Sequence, residues 1–289
     1  MQNFNAKRKI DILIISDVHL GTYGCHAKEL LCYLRSVNPK HLILNGDIID
    51  IWQFSKRYWP KSHMKILRHI LGWISEGKQV TYITGNHDEM LRKFVGLELE
   101  NFKIVNKLVL PLDNGKNAWI FHGDVFDVTM KHSKWLAKLG SSGYDILILF
   151  NRAINFISHK LGRGKISLSK KIKNSVKEAV KFINNFEQTA ADLAIHNEFD
   201  FVICGHIHHP ENKVIKNKQG KVTYINTGDW VENLTALEYT SALGWEMYRY
   251  NEIETDNQTE DVMESAQLDD QYVFAQLVAE FYATGKQTV

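Results

Sequence analysis

The sequence predicts an α/β fold with its chemistry at the carboxyl ends of strands. Three observations predict it. Short β-prone runs alternate with helical stretches from Ile10 to about Phe121. After Phe201 the texture changes to closely spaced strands and turns. Every phrase rich in Asp, Asn or His falls just past one of those runs.

The strand candidates are 10–16, 41–45, 79–84 and 117–121, and 26–37 and 62–76 have helical spacing between them. Such alternation favours a sheet with right-handed crossovers. Beyond it, 201–204, 212–217, 221–226 and 234–240 read as strands, with Lys218-Gln219-Gly220 as a hairpin turn. The stretch 125–197 reads as a basic helical insertion broken at Leu161-Gly162-Arg163-Gly164. Ser169 there is a candidate cap for a helix through Val176, Val180, Ile183, Phe186 and Ala190. The expected organisation is one domain over 1–250 carrying that insertion. An acidic, partly flexible tail follows over 251–289, with 271–284 as a candidate amphipathic helix.

The chain has 289 residues, 44% hydrophobic and 24% charged, enough for a core without disulfides. Cys25, Cys32 and Cys204 are odd in number and lack metal spacing, so they read as reduced thiols of a cytosolic protein. The polar, basic start does not read as a signal peptide, and no run reaches the roughly 18 apolar residues of a membrane span. The net charge of +2 conceals a strong division. Between Lys131 and Lys181 only Asp145 and Glu178 oppose a long series of Lys and Arg, whereas the tail is acidic. The basic stretch is interleaved with Trp135, Leu136, Leu139, Ile146, Leu147 and Phe150. This pattern suits an anion-facing, greasy groove or membrane contact, and core packing is the less favoured alternative.

Five phrases form the candidate site. Asp17-Val18-His19 follows the first strand, Gly46-Asp47 the second and Gly85-Asn86-His87-Asp88 the third. His122-Gly123-Asp124 and Gly205-His206-Ile207-His208 follow two later ones. Ligands of α/β folds gather at such ends. Mixed imidazole, carboxylate and amide donors without thiolate suit Mn²⁺, Fe or Zn²⁺ in a catalytic role. There are more donors than one tetrahedral ion needs, so two ions with a bridging carboxylate are expected. Asp88, Asp124 and Asp127 either orient ligand histidines or satisfy strand-end amides. His26, His41, His63, His69, His132, His159, His196 and His209 are expected on the surface or as caps. Asn226 to Trp230 reads as a structural turn near the site.

In this order the five phrases resemble the calcineurin-like metallophosphoesterases, over about Ile10 to Leu237. The resemblance implies a four-layer α/β/β/α sandwich with a helical cap insertion. It implies that Asp17, His19 and His208 hold one divalent ion and Asn86, His122 and His206 the other, with Asp47 bridging. His87 would stabilise developing charge or protonate the leaving group, oriented by Asp50.

The phrase His122-Gly123-Asp124-Val125-Phe126-Asp127, the basic insert and Asn226 to Glu232 are similar to one branch, the UDP-2,3-diacylglucosamine diphosphatases. That similarity implies a Mn²⁺-dependent bacterial enzyme of lipid A biosynthesis. Such an enzyme cleaves a nucleotide-sugar lipid at the inner face of the cytoplasmic membrane, with the insert as an acyl-binding lid and no nucleic-acid partner. One departure stands out: well-known members of the branch carry Arg where this chain has His87. A metallophosphodiesterase or nuclease on the same site is the alternative function.

Overall fold

The computed structural model describes residues 7–51, 58–126 and 170–251. Most of the expected insertion and the tail lie outside these residues.

Two sheets form the centre. The first contains β1 (Arg8–Ile15), β2 (Val37–Asn45), β3 (Gln79–Ile83), β4 (Glu98–Leu99), β5 (Phe102–Val105), β11 (Thr235–Thr240) and β12 (Gly244–Arg249), in the order β12-β11-β1-β2-β3-β5-β4. Its middle strands β1, β2, β3 and β5 run parallel, and β11, β12 and β4 are antiparallel additions. The second contains β6 (Lys107–Pro111), β7 (Asn117–Phe121), β8 (Phe201–Cys204), β9 (Glu211–Lys216) and β10 (Lys221–Asn226), in the order β6-β7-β8-β10-β9.

The period-2 alternation of each strand sets the layers. In β1, Ile12 and Ile14 pack between the sheets with Ile43 of β2, Ile120 of β7 and Ile203 of β8. Leu13 and Ile15 point the other way, onto α1 (Ala27–Ser36) and α2 (Lys61–Ser75) through Leu30, Leu34, Ile66 and Trp73. On the far side of the second sheet, Val202, Cys204, Val222 and Tyr224 meet Phe186, Ala190, Ala191 and Ala194 of α3 (Lys170–His196). The layers are therefore α/β/β/α. The last part of the stretch expected as an insertion is the outer helical layer. Each fully buried Leu or Ile contributes about 1.5–3 kcal/mol.

Two outcomes differ from expectation. Strands β4, β5, β6 and β12 had no clear sequence signal. His63, expected at the surface or as a cap, is buried at 1% exposure, where its Nδ1 accepts the Gly21 N–H at 3.0 Å.

Candidate metal centre

The parallel strands of both sheets end at one place, and their loops are laced together by backbone bonds. Asp17 N–H donates to Gly46 O (3.1 Å), and Val18 and His19 N–H donate to Asp47 O (3.0 and 2.9 Å). Ile51 N–H reaches His87 O (3.0 Å), and Gly205 N–H reaches His122 O (2.9 Å). Small residues allow this approach. A Cβ on Gly46, whose φ is +78°, would run into the His122 ring, and one on Gly85 would run into the Asp47 carboxylate.

The loops converge the expected side chains. Asp17, His19 and His208 offer ligand atoms within 4.8 Å of one another, and so do Asp47, His122 and His206. His19, Asp50 and His87 form a third trio. Asp17, His19, Asp47, His206 and His208 all have positive φ, between 50° and 70°. For residues with a Cβ this backbone is uncommon and strained, and such strain gathers at functional sites.

Hydrogen bonds fix the tautomers. His122 Nδ1 lies 2.9 Å from Asn45 O, and a carbonyl only accepts, so Nδ1 carries the proton and Nε2 presents its lone pair. That Nε2 lies 3.2 Å from Asp47 Oδ2 and makes no hydrogen bond among the described residues. His19 Nδ1 lies 3.2 Å from Asp50 Oδ2, which leaves its Nε2 buried and likewise unbonded among the described residues. Asn86 Oδ1 is a third buried acceptor without a partner there. Two lone pairs and a carbonyl oxygen, orphaned beside two buried carboxylates, are what a divalent cation satisfies, so the donor set fits a metal.

The electrostatics agree. Asp17 and Asp47 are 0% and 2% exposed, and neither pairs with Lys or Arg among the described residues. Burial alone would raise both carboxyls, but His208 and His122 outweigh it for Asp17, and His122 does so for Asp47. Burial would lower the His122 imidazole, yet Asp47 and Asp17 lift it well above its ordinary value. His208, opposed by burial and favoured by Asp17, is raised to about 9. The carboxylates that favour a proton on these imidazoles would equally favour a cation, which leaves the His122 Nε2 its lone pair for coordination.

His87 Nδ1 lies 2.8 Å from Asp50 Oδ2, and its backbone N–H donates to Asp47 Oδ1 at 2.8 Å. Burial would lower the His87 imidazole, but Asp50 and Asp47 raise it. Asp88 serves the strand end: its carboxylate accepts from Gly85 N–H (2.6 Å), Ile48 N–H (3.0 Å) and Tyr82 OH (2.6 Å). Asp124 accepts from Arg92, and Asp127 lies outside the described residues. His209 sits instead with Glu187 and Glu211, where the Lys213 ammonium, 2.7 Å from Glu187 Oε2, already supplies the positive charge.

The turn expected near the site from Asn226 to Trp230 is there, and Asn233, which carried no signal in the sequence, extends it. Asn226 Nδ2 donates to Gly205 O (2.8 Å), Trp230 N–H to Asp17 O (3.0 Å) and Asn233 Nδ2 to His208 O (2.9 Å). The turn 226–233 therefore clamps both outer loops.

Known proteins resemble this chain in sequence. A UDP-2,3-diacylglucosamine hydrolase of Blochmanniella pennsylvanica is 26% identical over 230 residues, covering 76% of this chain and 88% of that protein. One of Aliivibrio fischeri is 23% identical, covering 80% of this chain and 95% of that protein. Among solved structures, a novel archaeal phosphodiesterase is 15% identical with a TM-score of 0.40, covering 82% of this chain and 98% of that one. A match that distant says nothing about function. The model of the calcineurin-like phosphoesterases matches residues 10–210, from the first strand through the loop holding His208. With the matched span taking in all five motif loops, the chain belongs to the calcineurin-like phosphoesterase family.

Proposed function

We propose that the chain is a binuclear metal-dependent phosphohydrolase. Its substrate would be UDP-2,3-diacylglucosamine, cleaved at the pyrophosphate to UMP and 2,3-diacylglucosamine 1-phosphate. The observation that carries the substrate is the identity to hydrolases of that name over three quarters of the chain. The two ligand trios support the reaction class. Asp17, His19 and His208 would hold one ion, Asn86, His122 and His206 the other, and Asp47 would be shared. Manganese is the proposed metal, with iron and zinc suited to the same donors. When bound, the ions supply Lewis acidity toward the phosphoryl oxygens.

The chain's own residues do the rest. Asp50 keeps His87 upright and favours its cationic form. A sugar phosphate leaves with little need of a proton, because a phosphate monoester has its second pKa near 6. His87 would therefore act mainly by placing positive charge beside the leaving oxygen and donating from Nε2 only as required. An acylated substrate and product would suit an enzyme peripheral to the inner face of the cytoplasmic membrane. The basic, apolar stretch between 125 and about 169 would be the lid on the 1–250 domain that receives the acyl chains.

The test is to incubate metal-loaded protein with UDP-2,3-diacylglucosamine and seek UMP by mass. Cleavage only of bis(p-nitrophenyl) phosphate or DNA would reject the lipid reading in favour of a phosphodiesterase or nuclease. His122→Ala should abolish turnover and remove one ion per chain. Full activity with both ions retained would sink the ligand assignment.

A further inference from the structure

One cation at the edge of the site has no part in the proposed reaction. Arg92 lies in the 3₁₀ turn Glu89–Phe94, just after the Asn86-His87 loop. Its Nη2 donates to the Gly85 carbonyl at 3.4 Å and to the Asp124 carboxylate. Gly85 precedes Asn86 and lies against Asp47, and Asp124 is two residues past His122. The guanidinium is thus held between two ligand-bearing loops, one from each sheet. Both of those bonds use the same nitrogen. The Nε–H is shielded and has no acceptor among the described residues, while the side chain as a whole is 37% exposed.

We infer that Arg92 is a substrate-binding residue that receives the phosphate of the diphosphate that is not attacked. The inference rests on the diphosphate reading above. A diphosphate brings two anionic groups, and the metal ligands can attend to only one reacting phosphorus. The other group enters a site whose fixed carboxylates, Asp17, Asp47 and Asp50, repel it. A guanidinium binds phosphate through charge-assisted N–H groups, and Asp124 holds this one by Nη2, which leaves Nη1 and Nε–H as the remaining donors. Arg92 is also a brace between the two loops, and the test must separate the two roles.

Arg92→Gln and Arg92→Lys should both retain two ions per chain. The ratio of kcat/KM for UDP-2,3-diacylglucosamine over that for bis(p-nitrophenyl) phosphate should fall roughly 10–100-fold in both, mostly through KM. Equal falls on the two substrates would overturn the inference and leave a brace. If the Gln variant does not fold, the Lys variant decides, because it keeps the charge and loses the planar fork. An independent reading is the Arg92 Nε–Hε resonance of Mg²⁺-loaded protein, which should move on adding inorganic pyrophosphate. An unmoved resonance would also overturn it. If the wild type releases no UMP, the functional reading fails while the pyrophosphate titration still decides the role of Arg92.

Discussion

Asp50 Oδ2 serves two imidazoles at once, His87 at 2.8 Å and His19 at 3.2 Å. One oxygen therefore sets the tautomer of a candidate ligand and the charge of a candidate catalytic group. Asp50→Asn has the same shape but lacks the negative charge that favours both. Such supporting carboxylates contribute about 10–100-fold to metal affinity or turnover. The expected outcome is a fall of that size in kcat, with weaker retention of one ion, read by steady-state kinetics and elemental analysis. Gly46 is a second single-atom test. Its φ of +78° disfavours any Cβ, and the added carbon would strike the His122 ring. Gly46→Ala should lose at least about 1 kcal/mol of stability from backbone strain alone, together with the metal near His122, in denaturant titration and metal analysis.

At the scale of elements, α2 carries a buried pH-sensitive group bonded to the loop that follows His19. His63 accepts the Gly21 N–H through Nδ1, and burial pushes its imidazole down to about 4. An unfolded histidine titrates near 6.5, so the unfolded chain binds more protons between these values. The stability due to neutral His63 is full above pH 6.5 and is lost as pH falls toward 4, by roughly 3 kcal/mol. His63→Gln, which keeps an acceptor without a titrating proton, should show a shallower fall in unfolding free energy between pH 7 and 4.5. Nothing around His63 in sequence announces this burial, because its donor lies 42 residues away. The same reasoning explains which strands were legible. β1, β2 and β3 are buried on both faces toward their carboxyl ends and read there as short, mostly apolar runs, such as Ile12 to Ile15 and Leu42 to Leu44. β6 and β12 are edge strands whose residues are mostly exposed or half-exposed, and β4 and β5 are only two and four residues long, so pairing makes them more than pattern does. At the site, ligand positions were legible because each follows a central strand. Arg92 and Asn233 were not, because their roles lie in partners on other loops.

For the whole molecule, the candidate ligands come from both sheets. Asp17, His19, Asp47 and Asn86 follow strands of the first, and His122, His206 and His208 follow strands of the second. A metal pair would therefore rivet the two halves of the sandwich. Binding at 100–1,000 times Kd stabilises by about 3–4 kcal/mol, equivalent to roughly 5–15 °C in a chain of this size. Chelation should lower the thermal midpoint by that amount, and re-addition of Mn²⁺ should restore it. The left-handed backbone at Asp17, His19, Asp47, His206 and His208 has a consequence of another kind. Selection for reactivity has kept the chain below the toughness its architecture permits. Glycine adopts this backbone without penalty. In chelator, Asp47→Gly should therefore melt above Asp47→Ala, which loses the same His87 and His122 contacts but keeps the strain, and neither should turn over substrate. A screen of this protein for heat resistance alone would drift toward inactive variants.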